Sequence, residues 1–167
     1  MSHVRPFRFS TAHQVIFGPG CTSELSGILA ETGSRVIVCT GSRPERHSTL
    51  LSSLTTAAKV VPIVGEPTLD VVRDATRTAL AFGADVVLGI GGGSVLDVGK
   101  AVAMLLRNGG DPLDYVEVVG KGRVINKESL PFVGVPTTAG TGAEVTANAV
   151  LTSPDHRLKV SLRSAHM

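Results

Sequence analysis

The sequence predicts an α/β fold, a parallel sheet with helices on both faces. Short β-branched, apolar runs alternate with helical patterns four times along the chain. The runs are apolar throughout, as in strands covered on both sides. The units differ in length, which excludes a solenoid repeat.

Taken in order, Gln14–Phe17 is expected as a short strand stopped by Gly18-Pro19-Gly20. Thr22 or Ser23 is expected to cap a helix running to about Glu31, ended by Gly33. Arg35–Thr40 is the next strand, because Val36, Ile37 and Val38 are β-branched and apolar. Gly41-Ser42-Arg43-Pro44 breaks it. Residues 45–57 are helix-compatible but weakly patterned, crowded by serine and threonine. Val60–Val64 is a third apolar run. Thr68 then caps a long helix to about Phe82, with Leu69, Val72, Ala75, Ala79 and Leu80 on one face and Gly83 as C-cap.

Val86–Ile90 reads as a buried strand. It enters Gly91-Gly92-Gly93-Ser94, with Ser94 expected as N-cap. Val95, Val98, Val102 and Leu105 follow at helical spacing. Asp111–Tyr115 fits one helical turn and 120–129 a polar loop. Phe132–Val135 is another strand, ending in Pro136-Thr-Thr-Ala-Gly-Thr-Gly142. Ala149–Ser153 and Leu158–Leu162 flank a turn and form a hairpin.

At 167 residues, with 43% apolar and 18% charged, the chain can bury one domain's core and is not a disordered type. A net charge of +2 with scattered basic residues gives no pull toward nucleic acid. No stretch reaches the ~20 apolar residues of a membrane span. Met1–Pro6 lacks the apolar core of a secretory signal, so a cytoplasmic protein is expected. Cys21 and Cys39 have no metal-ligand spacing, and Cys39 is expected as a buried free thiol.

Two constellations could carry chemistry. Strand, glycine turn and helix start follow one another at 86–100, an order that can present unpaired N–H groups to a phosphate. Tight strand-to-helix packing would use the same glycines. Asp97 and Lys100 share a helix face, either as a surface ion pair worth little or as polar groups near a ligand. The second constellation is Pro136–Glu144, at the end of a strand, where open parallel sheets bind ligands. An ordinary polar turn has that composition too. Both loops on one sheet edge favour a nucleotide.

The motifs G-G-G-S-V-L-D-V-G-K-A at 91–101 and P-T-T-A-G-T-G-A-E-V-T at 136–146 resemble the iron-containing (group III) alcohol dehydrogenase family. F-G-P-G at 17–20 and K-V-S-L at 159–162 match it as well. The resemblance implies a Rossmann-like, dehydroquinate synthase-like N-terminal domain over 1–167 that binds NAD or NADP. It also implies a helical domain beyond Met167 holding iron or zinc with an aspartate and three histidines. The chain's end at Ser164–Met167, without cap or turn, is expected to be a cut.

By the same resemblance, Gly91, Gly92, Gly93 and Ser94 form the pyrophosphate turn. Thr137, Thr138, Gly140 and Thr141 surround adenine and phosphate. Asn148 and Lys159 lie near the nicotinamide half, and Asp97 and Lys100 occupy fixed motif positions. Glu66 stands where relatives often carry asparagine. Gly41 and Ser42 stand where NAD-preferring members often carry aspartate, and Arg43 and Arg46 are close by, which slightly favours NADP.

The implied activity is hydride transfer between NAD(P) and a small alcohol or aldehyde, with no turnover expected from 1–167 alone. His3, His13, His47, His156 and His166 are scattered, so no metal site or catalytic residue is expected in the chain. Ser94 fits a cap and phosphate donor better than a nucleophile. Two alternatives stand: a non-catalytic nucleotide-binding module, and a maleylacetate reductase-like relative, whose glycine turn usually lacks the Asp97–Lys100 pair. Apolar surface left by a missing helical domain leads to the expectation of a homo-oligomer.

Overall fold

A computed structural model describes residues 11–167; the N-terminal stretch with His3 lies outside them. Among the described residues four strands form one parallel sheet in the order β2-β1-β3-β4, with β1 Arg35–Thr40, β2 Ala57–Pro62, β3 Val86–Gly91 and β4 Phe132–Pro136. Helices α1 Leu25–Thr32, α2 Ser48–Ser52, α3 Leu69–Phe82, α4 Gly93–Asn108 and α5 Pro112–Tyr115 surround it. An antiparallel hairpin of β5 Asn148–Ser153 and β6 Leu158–Arg163 follows, as expected.

The central strands are buried along almost their whole length. Val36, Val38, Val86, Leu88 and Ile90 face α1 and α2, packing on Leu25 and Leu29. Ile37, Cys39 and Val87 face the other way, toward Val72 and Ala79 of α3 and Val98 and Val102 of α4. The hairpin adds Leu151 and Leu162 to that second layer. Burial pushes the Cys39 thiol up to about 12, so it stays protonated and inert.

Capping is legible at α3. The Thr68 hydroxyl accepts from Val71 N–H at 3.2 Å, and Gly83 ends the helix at φ +70°. α4 lies close against the sheet through small residues. A Cβ on Gly99 would stand 2.7 Å from the Phe132 ring, and one on Gly89 3.1 Å from both Leu96 and Phe132.

Several expectations need correction. Gln14–Phe17 has no strand partner among the described residues, and Val15 and Phe17 are exposed. Thr22 and Ser23 cap nothing, since they lie inside a 3₁₀ turn, Cys21–Glu24, that precedes α1. The third strand begins earlier than the apolar run at 60–64, because it pairs with β1 from Arg35↔Ala57 to Thr40↔Pro62. Leu80 is 61% exposed, since only the Leu69–Val72–Ala79 stripe meets α4 and the sheet. Ser94 is not the cap of α4. The cap is Gly92, and Ser94 is the second helical residue.

Candidate functional site

From β1 the chain runs outward to β2, then returns past β1 to reach β3. The connections therefore leave β1 and β3 in opposite directions, and a crevice opens where they part. A cleft of ≈ 680 Å³ lies there, lined by Gly41, Ser42, Arg43, Arg46 and His47 after β1, Gly91 and Gly92 after β3, and Thr137 and Thr138 after β4. Its size suits a small-molecule ligand.

The two loops singled out in the sequence meet at this cleft. Thr137 N–H donates to the Gly91 carbonyl at 2.9 Å, extending the β3–β4 pairing beyond Gly91↔Pro136. A Cβ on Gly92 would come within 3.0 Å of the Thr138 hydroxyl. One on Gly93 would come within 3.2 Å of the Thr141 side chain. Both glycines thus admit a close approach that any larger residue would fill. A Cβ on Gly91 would meet Val95 at 2.7 Å, so this glycine also serves the packing of α4. Gly140 turns the threonine loop with φ +108°, a conformation that favours glycine.

Gly93 and Ser94 open α4, so their N–H groups have no acceptor within the helix. The positive end of a 16-residue helix is added at the same place. With Arg43, Arg46 and His47 across the cleft, the arrangement suits an anion flanked by polar or stacking groups. The glycine cradle and the basic wall together fit a dinucleotide, whose charge sits in its middle.

Gly93, Ser94, Gly140 and Thr141 are not among the residues lining the cleft, and neither are the remaining candidates. Asp97 and Lys100 form an ion pair at 3.0 Å, with side chains 13% and 6% exposed. The surface-pair alternative is thereby corrected, because the hairpin covers both groups. Burial draws the Lys100 ammonium below its ordinary pKa, against the opposing influence of Asp97. The Asn148 side-chain oxygen is buried and has no hydrogen-bond partner among the described residues. Lys159 stands exposed on β6, 3.3 Å from the Glu66 carboxylate.

His47 is the cleft residue that sequence reasoning missed. A histidine that serves singly in a basic wall needs no ligand spacing, so its pattern in the sequence does not mark it. Its signal was its place one residue beyond Arg46, in the turn after β1. Among the described residues no group of three His, Cys, Asp or Glu side chains could hold a metal ion. The described residues therefore do not fit the iron or zinc that the resemblance implies. No helix among them is long and apolar enough to cross a membrane.

A parallel sheet covered on both faces, with its crevice where the chain reverses direction, defines an α/β protein of the doubly wound class. The family model for iron-containing alcohol dehydrogenases matches residues 12–167, and the chain belongs to that family. It is 44% identical over 102 residues to the sulfoacetaldehyde reductase of Bilophila wadsworthia, covering 61% of this chain and 25% of that protein. It is 32% identical over 157 residues to the mitochondrial hydroxyacid-oxoacid transhydrogenase of Caenorhabditis elegans, covering 88% and 34%.

Among solved structures, it is similar to the sulfoacetaldehyde reductase from Bifidobacterium kashiwanohense in complex with NAD+. The TM-score is 0.87 at 25% identity, covering 98% of this chain and 44% of that one. The NADH-dependent butanol dehydrogenase A of Thermotoga maritima gives 0.83 at 27% identity, covering 98% and 42%. The chain thus spans less than half the length of these relatives.

Proposed function

We propose that residues 1–167 are the dinucleotide-binding part of a metal-dependent alcohol or aldehyde oxidoreductase. The observation that carries this reading is the meeting of the glycine and threonine turns at the sheet's switch point. In this reading Gly91, Gly92, Gly93 and Ser94 receive the pyrophosphate on backbone N–H groups. Thr137, Thr138, Gly140 and Thr141 close the opposite rim. Asn148 and Lys159 serve the nicotinamide half, the former with its unpartnered side-chain oxygen. The dinucleotide, when bound, supplies the hydride chemistry. The domain's own task is to bind it, orient it and exclude water. The NAD+ complex and the NADH-dependent enzyme among the similar structures support a nicotinamide cofactor.

The metal belongs to a helical domain in further chain, and the substrate is a small alcohol or aldehyde. The whole protein is a cytoplasmic homo-oligomer. At the β1 end, Gly41 and Ser42 place no carboxylate in the cleft, and Arg43 and Arg46 line it. That wall leaves room and charge for a ribose 2′-phosphate, so NADP is accepted beside NAD and slightly favoured.

Titration of the chain with NADH and NADPH, followed by nicotinamide fluorescence, tests both statements. Saturable binding of either, weakened at least about tenfold by Gly93→Val, is expected. No binding of either refutes the cofactor assignment. NADH binding at least about tenfold tighter than NADPH rejects the role given to the arginines.

A further inference from the structure

α4 is apolar on its buried side except for Asp97 and Lys100. Charges at such depth are costly unless paired and hydrogen-bonded. Besides its 3.0 Å pair with Asp97, Lys100 Nζ donates to the Thr146 carbonyl at 3.1 Å, the Thr146 hydroxyl at 3.3 Å and the Asn148 carbonyl. Asp97 Oδ2 accepts from Val150 N–H at 3.1 Å. All these partners lie where the threonine-rich rim passes into β5. The near end of that rim rests on the same helix, through Gly92 against Thr138 and Gly93 against Thr141. One helix therefore grips both ends of residues 137–150. Glu144, between the two grips, adds its carboxylate to the field at Lys100.

We propose that the Asp97–Lys100 pair is a positioning clamp for the cleft, fixing the far end of the threonine-rich rim in its binding shape before a dinucleotide arrives. The proposal rests on the dinucleotide reading above. Lys100 holds the carbonyls of Thr146 and Asn148, and Asp97 holds the N–H of Val150, so both act on the backbone of the rim. A rim ordered in advance avoids an entropy loss on binding. Stability alone does not require charges here, since buried ion pairs are often replaced by apolar residues without loss. An apolar pair, however, offers nothing to the carbonyls of Thr146 and Asn148.

The test is the double variant D97N/K100M in the full chain. The asparagine keeps an oxygen for Val150 N–H, and the methionine fills the space of the lysine stem. Two probes are titrated: NADH, and AMP, which is too short to reach the far end of the rim. The expected result is a melting temperature within about 4 °C of the unchanged chain. NADH affinity falls at least about tenfold while AMP affinity stays within about twofold. K100R, which keeps charge and donors, restores most of the NADH affinity.

Unchanged NADH affinity in the folded double variant overturns the clamp, and so does an equal loss of NADH and AMP. If the double variant does not fold, D97N alone decides. It should lose NADH affinity about threefold and AMP affinity not at all, and no loss overturns the clamp. An unchanged chain that binds neither probe defeats the dinucleotide reading itself, and the clamp with it.

Discussion

The two faces of the sheet are covered unequally. One carries α3 and α4, of 14 and 16 residues, with the hairpin packed beside them. The other carries α1 and α2, of 8 and 5 residues. The thick face holds the glycine turn and the threonine rim in place through packing and buried polar contacts. On the thin face a short turn follows β1, and its arginines and histidine project into the cleft from a lightly packed support. The rim seated on the long helix α4 suits the part of a ligand that every dinucleotide shares. The lighter one suits the part by which cofactors differ.

The largest test of this contrast is a pair of cavities. Leu105 in α4 and Leu29 in α1 are both buried, one under each face. Leu→Ala in a core costs about 2–5 kcal/mol, less where the surroundings can collapse. Leu105→Ala is therefore expected near the upper end and Leu29→Ala near the lower, measured by urea unfolding. Equal costs would mean that the two layers are packed alike.

A smaller effect separates charge from packing on the thick face. Arg73 of α3 holds Asp111, the cap of α5, through Nε at 2.7 Å and Nη2 at 2.8 Å. The hydrogen bonds from Arg73 are the main reason the Asp111 carboxyl is held below its ordinary pKa. A carboxyl so depressed stabilises the fold above its unfolded pKa, about 3.9, and loses that contribution as pH falls through the folded value. Asp111→Asn keeps an oxygen for Leu113 N–H, which Asp111 Oδ1 accepts at 2.9 Å. The expected loss is at most about 1 kcal/mol at neutral pH, the pair being partly exposed. The gap between variant and parent should close as pH falls below about 4. A gap that persists there would place the effect in packing.

The same contrast governs what the sequence could reveal. β1 and β3 pair on both sides and are buried on both faces, so their apolar runs are unambiguous. α4 was equally plain, because Val95, Val98, Val102 and Leu105 all turn inward. Among the described residues β2 pairs only with β1, and its start at Ala57-Ala58-Lys59 has little hydrophobic signal, so pairing decided what composition could not. Val15, Ile16 and Phe17 have strand composition without a neighbour to pair with among the described residues. At the cleft, the glycines and threonines were legible because the backbone must approach closely there. The reach of Lys100 to Thr146 and Asn148 was not, since it depends on where a hairpin 46 to 48 residues away comes to rest.

Leu80 offers the smallest effect and a sharp distinction between pattern and packing. By helical spacing it belongs with Leu69, Val72 and Ala79, and a lysine there would bury a charge at a cost of several kcal/mol. In the structure the stripe that meets α4 and the sheet leaves Leu80 61% exposed, at the rim of a shallow pocket with Arg73 and Arg77. Leu80→Lys is therefore expected to change unfolding free energy by no more than about 0.5 kcal/mol. The substitution adds a third cation beside two arginines that already have carboxylate partners, Asp70 and Asp111 for Arg73 and Asp74 for Arg77. What little destabilisation appears should therefore shrink as salt is raised. A loss above about 2 kcal/mol, indifferent to salt, would put Leu80 back in the core and make α3 a wider buried face than the packing shows.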